Sequence, residues 1–194
     1  MTLTEPELLA AGPDAAPRRW PWLVAAVLAA LLALAWWADG QARGAELDAV
    51  ADRIEAAEVS LDQGDARVAA MLAYGQPLLS RATLEPSLRA DLQALVRQAH
   101  GDAAALTAQS RADLAGVPVL AWHGDVAAAV AAYDAYLAAR EQTSREAAVD
   151  VEVGFARHPE HDALLAVARA ALSTAAAADP GAAARVEQAL PAPE

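Results

Sequence analysis

The apolar positions of this chain fall into two patterns that ask for two different surroundings. From Trp20 to Ala38 (WPWLVAAVLAALLALAWWA) nineteen consecutive residues carry no charge and almost nothing polar. A helix with no polar face is apolar around its whole circumference, as a core helix or a membrane span is. From Gln41 onward apolar residues instead recur at spacings of three, four and seven, which places one stripe along each helix. Leu47, Val50, Ile54, Ala57, Leu61, Val68 and Met71 mark a first helix over about 42–74, with Asp48, Asp52 and Glu55 on a solvated face. Gly75-Gln76-Pro77 is read as its stop, and this helix can continue directly from the apolar run.

Leu88, Leu92, Leu95, Ala99, Ala103, Leu106 and Leu114 mark a second helix over about 86–115, opened by Pro86 and open to a break at Gly101. Val126, Val130, Tyr133, Leu137 and Ala147 mark a third over about 121–150, where Glu141 and Arg145 form a favourable i,i+4 pair. Pro159 opens a fourth to about 178, and Asp179-Pro180-Gly181 precedes a short fifth over about 181–190. The one β-branched cluster, Val149 to Val153, is too short to build a sheet. The fold class is therefore all-α. Long helices on short connectors favour antiparallel neighbours, hence an elongated bundle or coiled-coil hairpin after one transmembrane helix.

The apolar run fits a bilayer. At about 1.5 Å per residue it spans roughly 28 Å, close to the ~30 Å hydrocarbon thickness. Trp20 and Trp22 mark one end and Trp36 and Trp37 the other, the places where indole rings sit at the headgroup level. Small-x-small sites at Ala33-Leu34-Ala35 and Gly40-Gln41-Ala42 keep a cleaved signal peptide, and thus a secreted protein, as the alternative. The length of the run and the paired Trp favour an uncleaved anchor. Arg18 and Arg19 abut the run and resist translocation, against Arg43 and Arg53 on the far side. The expected organisation is a short disordered cytoplasmic tail (1–19), a span (20–38) and an extracytoplasmic helical domain (39–190). The row Ala25, Ala29, Ala33 offers a weak surface for helix dimerisation.

Composition sharpens this picture by exclusion. Among 194 residues there is no Cys, no Lys and no Asn, and the formal charge is −12. Disulfides, thiolate chemistry, Cys-ligated metal, Cys lipidation and Asn-linked glycans are ruled out. So strong an acidic balance also argues against nucleic-acid binding. Ala is the commonest residue. It lets helix axes approach closely but buries little area per contact, so the bundle gains from self-association.

Candidate chemistry is sparse. No Gly-x-Ser-x-Gly, phosphate loop or His-Glu-x-x-His is present, so no catalytic residue and no enzyme activity is assigned, and no cofactor is expected. His158-Pro159-Glu160-His161-Asp162 sets two imidazoles three apart beside two carboxylates, a spacing some zinc sites use. No second ligand pair accompanies it, and Glu160 and Asp162 are better read as complementing a helix N-terminus, so no metal is assigned. His100 and His123 each precede Gly-Asp and are read as turn residues. Trp122, Tyr133 and Tyr136 are a candidate interaction or ligand-stacking surface, though helically spaced aromatics usually belong to a core. Gln63-Gly64-Asp65 and His123-Gly124-Asp125 each look like the turn and second helix of a tetratricopeptide unit. No ~34-residue period links them, and Gly-Asp is read instead as a helix terminus with Asp as N-cap.

The apolar run, Ala73-Tyr74-Gly-Gln-Pro-Leu-Leu79, Val117-Pro-Val-Leu-Ala-Trp-His123 and His158-Pro-Glu160 together resemble uncharacterised single-pass membrane proteins of high-GC actinobacteria. The resemblance implies a topology and no activity. The expected function is a membrane-anchored structural or protein-interaction module of the cell envelope, with the bilayer and itself or another envelope protein as partners. A ligand-sensing or cargo-binding ectodomain is the alternative.

Overall fold

A computed structural model describes residues 20–79, 85–156 and 158–191. The expected tail 1–19, with Arg18 and Arg19, and the connector residues 80–84 lie outside the described residues. Among the described residues five α-helices follow one another: α1 (Trp20–Leu79), α2 (Pro86–Ala115), α3 (Gly124–Val149), α4 (Pro159–Ala176) and α5 (Pro180–Ala189). A 3-10 turn, Val153–Phe155, stands between α3 and α4. Among the described residues there is no strand. The chain divides into two compact units, Met1–Gln41 and Ala42–Glu194.

In the first unit, residues 20–38 are helical and every one is exposed. In the second unit the helices pack against one another around one core. From α1 it takes Leu47, Val50, Ile54, Ala57 and Leu61, all buried, which is the spacing-three-and-four stripe read from the sequence. Leu114 of α2, Val126, Ala129, Tyr133 and Leu137 of α3, and Ala168 and Leu172 of α4 complete it, with Ala182 and Val186 from α5. Each fully buried Leu or Ile contributes about 1.5–3 kcal/mol and each Ala far less, so the large side chains of α1 and α3 dominate the stability. Gly64 sets the α1–α2 approach: a methyl there would lie 3.1 Å from the Ala103 methyl. Arg67 pairs with Asp102 nearby, while Arg53 and Ser60 share a small recess with Gln109 and Asp113, so α1 and α2 run antiparallel.

Helix ends mostly follow local chemistry. Pro86 and Pro159 open α2 and α4 at positions whose N–H needs no partner. Asp179 caps α5, its Oδ1 accepting from the N–H groups of Gly181 (2.9 Å) and Ala182 (3.1 Å). Gly116 follows α2, and its N–H reaches back to the Ala112 carbonyl.

Several expectations are corrected. α1 does not stop at Gly75: it continues through Pro77 to Leu79. Proline in the last turn removes one hydrogen bond next to carbonyls that end unpaired in any case. Gly101 does not break α2, and Gly64-Asp65 is not a terminus but lies inside α1, where Gly meets the second helix. α3 begins at Gly124 rather than near 121, with His123, not Asp125, as N-cap. Leu88 and Leu95 are exposed, and the buried stripe of α2 runs instead through Leu92, Val96, Ala99 and Ala103.

Candidate functional site

A cleft of about 620 Å³ opens between α1 and α4, with α3 beneath it. One face of α1 supplies Glu58, Leu61, Asp62 and Asp65, which at spacings of three and four all point the same way. α3 supplies Tyr136 and Arg140, and α4 supplies Asp162, Leu165, Ala166, Arg169 and Ala170. Pro191, just beyond α5, closes one end.

The polar groups at the base are tied into the core. The buried Tyr133 hydroxyl donates to Glu58 Oε1 at 2.5 Å. Burial holds the Glu58 carboxyl above its ordinary value, the Tyr133 bond and Arg140 opposing it. Burial likewise raises the Tyr133 phenol, and the facing Glu58 carboxylate raises it further. Arg140 donates to Asp65 Oδ2 (2.6 Å) and to the Tyr136 hydroxyl (3.3 Å). Burial disfavours the Arg140 charge, but Asp65 and Tyr136 outweigh it and raise its pKa. Arg169 pairs with Glu187 and donates to the Pro191 carbonyl, fastening the C-terminal end of α5 to α4. Both arginines of the cleft are thus engaged, whereas Asp62 on α1 and Asp162 on α4 have no ion-pair partner among the described residues.

The aromatic trio is not brought together on one surface. Trp122 is exposed and meets the His123 ring edge-on at 6.0 Å. Tyr133 and Tyr136 are core residues, 0% and 4% exposed, with ring centroids 5.6 Å apart. Only Tyr136 reaches the cleft.

His158, Glu160 and His161 do converge, each offering a ligand atom within 4.8 Å of the others. Their detailed geometry suits a clasp better than a metal. His158 Nδ1 lies 3.0 Å from Glu160 Oε1 and Nε2 lies 3.0 Å from the Val153 carbonyl oxygen. Two acceptors make both ring nitrogens donors, so the imidazolium is the favoured form. The Val153 carbonyl and then Glu160 raise its pKa accordingly. The two imidazoles stack at 5.2 Å and 21°, which keeps their in-plane lone pairs from meeting at one point. His161 Nε2 contacts Thr143 Oγ1 at 3.1 Å, and burial lowers its pKa. The cluster therefore ties the 3-10 turn to the start of α4 and to α3.

Two buried charge sites were not read from the sequence. Glu46 (7% exposed) accepts from the Leu120 N–H at 2.8 Å and contacts His123 Nδ1 at 2.7 Å. Beside them Arg43 pairs with Asp125, whose carboxyl it lowers, and donates to the Ala175 carbonyl at 2.9 Å. Between α2 and α3, Arg111 bridges Asp134 and the buried Glu141, each at 2.8 Å, and Glu141 also takes the expected pair with Arg145. A signal was present in both cases. Glu46 falls on the stripe of Val50, Ile54 and Ala57, and Glu141 on that of Tyr133 and Leu137, and a charge on a buried stripe requires a partner.

The four flanking residues of the apolar run, Trp20, Trp22, Trp36 and Trp37, are all exposed. The helix containing them is long and apolar enough to cross a membrane, with a mean hydropathy of 2.0 over its best window. No family model, no curated protein and no solved structure matches this chain.

Proposed function

We propose that this chain is a single-pass membrane protein whose Ala42–Glu194 unit acts on the extracytoplasmic side as a structural or protein-interaction module of the cell envelope. One observation carries the reading: all nineteen residues from Trp20 to Ala38 are exposed, an apolar surface that water disfavours and hydrocarbon accommodates. The Trp pairs at both ends support an interfacial anchor, and Arg18-Arg19 supports an inside tail. Within this reading α1 and α2 form a coiled-coil hairpin, supported by the small residues Gly64 and Ala103 at their approach. The reading assigns no reaction to the chain. Alkaline-carbonate extraction of native membranes tests the anchor, with the intact chain expected in the pellet. A reporter active only outside the cytoplasm, fused after Glu194, is expected to be active. Recovery of the chain in the soluble fraction, shortened or intact, overturns the anchor, and a shortened chain favours the secreted alternative.

A second reading, a ligand- or cargo-binding ectodomain, is favoured by the cleft between α1 and α4. It does not draw on Trp122, Tyr133 and Tyr136 as a surface, because two of the three are core.

A further inference from the structure

The cleft is the continuation of a groove that the chain already fills once. α5 lies against α1 and α4: Ala182 and Val186 enter the common core, Arg185 pairs with Asp52 of α1, and Glu187 pairs with Arg169 of α4. α5 ends at Ala189, and Pro191 forms the end wall of the open part. Beyond that wall the same two helices still face each other, from Glu58 to Asp65 on α1 and from Asp162 to Ala170 on α4. Either stretch is about 10–12 Å long, two turns of helix at ~1.5 Å per residue.

We infer that the cleft receives a short basic amphipathic helix of a partner protein, docked as a continuation of α5. This rests on the proposed interaction role and names the partner's chemistry. α5 shows what the groove accepts: small apolar residues at i and i+4 pointing inward and charged residues on the flanks. In the open part the lining sets apolar Leu61, Leu165 and Ala166 beside Glu58, Tyr136 and Arg140, whose polar groups are already held in the network at the base. The flanks differ from those facing α5. Arg140 and Arg169 are already spent on Asp65 and on Glu187 with the Pro191 carbonyl, which leaves Asp62 on one wall and Asp162 on the other. An occupant therefore brings cations to both flanks and small apolar residues between them. The chain has no Lys and a net charge of −12, which makes a second copy of its own acidic surface a poor match.

The test uses the full chain in detergent micelles and a fluorescein-labelled peptide probe. The probe is an Ala/Val helix with Arg on both flanks, and a twin carries Glu in place of Arg. Fluorescence anisotropy is expected to show saturable binding of the Arg peptide, weakened by added salt, and none of the Glu twin. The double variant Asp62→Asn with Asp162→Asn is expected to weaken it by about fivefold. Ala166→Trp, a substitution at an exposed position that fills the cleft, is expected to abolish it. Both variants keep the core intact, which circular dichroism checks. Equal binding to wild type and to Ala166→Trp overturns the inference, as does no binding of the Arg peptide. Spermidine displacing the peptide at equal concentration also overturns it, in favour of a small-cation site. If carbonate releases the chain but the peptide still binds at the cleft, the tether fails and this inference stands. If the chain stays in the membrane and crosslinks to a partner from another face, with the cleft silent to the peptide, this inference alone fails.

Discussion

One helix, α1, carries two stretches with opposite demands. Residues 20–38 are apolar at essentially every position and all are exposed. Residues 47–61 are apolar on one stripe, and that stripe is buried while Asp48, Asp52 and Glu55 face out. The difference shows how much surface each environment has to cover. Neighbouring helices cover a single face, so a protein core needs only one apolar stripe; a hydrocarbon environment meets the whole circumference. Identical residue types therefore mean different things in the two stretches: Leu28 is 55% exposed and Leu47 is fully buried.

Paired substitutions separate the two roles. Leu28→Arg puts a charge at the middle of the proposed span, at a cost of about 2.5–3.5 kcal/mol for insertion. The expected outcome is loss of the chain from the carbonate-resistant pellet, with the helical unit still folded. Ile54→Ala removes a buried side chain from the core and is expected to cost about 2–5 kcal/mol, read as a lower urea midpoint, while membrane retention is unchanged. If Leu28→Arg leaves retention intact, or if Ile54→Ala alters retention rather than stability, the division of labour along α1 is wrong.

The next effect is smaller and sits at one close contact. A methyl group at Gly154, in the 3-10 turn, would lie 2.7 Å from His100 Nε2 and 2.8 Å from Cε1. His100 is buried within α2, its Nε2 has no hydrogen-bond partner among the described residues, and burial lowers its pKa. Gly154→Ala thus forces the ring or the turn to move, and about 1–3 kcal/mol of destabilisation is expected. Combining it with His100→Ala opens space for the methyl. The double variant is expected to lose less than the sum of the two single losses, measured by denaturation in micelles. Strict additivity rejects the contact.

These contacts show which parts of the fold were legible beforehand and which were not. Helix number and the starts of α2, α4 and α5 follow from Pro86, Pro159 and Asp179-Pro180, because proline and N-cap chemistry act within one turn. The stripe Leu47 to Leu61 was legible because periodicity is local. Gly64 and Pro77 do not act as the punctuation their residue types suggest, because position decides their tolerance: Gly64 is where Ala103 approaches, and Pro77 sits where the helix is ending in any case. The cleft was not legible, since Asp62, Arg140 and Asp162 lie on three helices and only packing brings them together. The pairs Glu46–His123 and Arg111–Glu141 were half legible. A charge on a buried stripe announces that a partner exists without saying which.

The smallest effect separates two neighbouring imidazoles by the sign of their pH response. His158 is raised above 6.5, chiefly by the Val153 carbonyl and then Glu160, so the stability it contributes is complete below about pH 6.5 and fades as pH rises through its folded value. His161 is lowered, chiefly by burial and then by Arg140 and the His158 charge, so its contribution is present above about 6.5 and fades as pH falls. His158→Gln is therefore expected to destabilise more at pH 5.5 than at pH 8, and His161→Gln more at pH 8 than at pH 5.5. The Glu160 partner is 55% exposed, so solvent screening keeps the difference to a few tenths of a kcal/mol, up to about 1. Loss of the His158 charge also relieves His161, which trims the acid-side effect further without changing its sign. Urea midpoints of the full chain at the two pH values read both gaps. Gaps of the same sign for the two variants would mean that the stacked pair shares one proton as a unit, and the assignment of the charge to His158 would then be wrong.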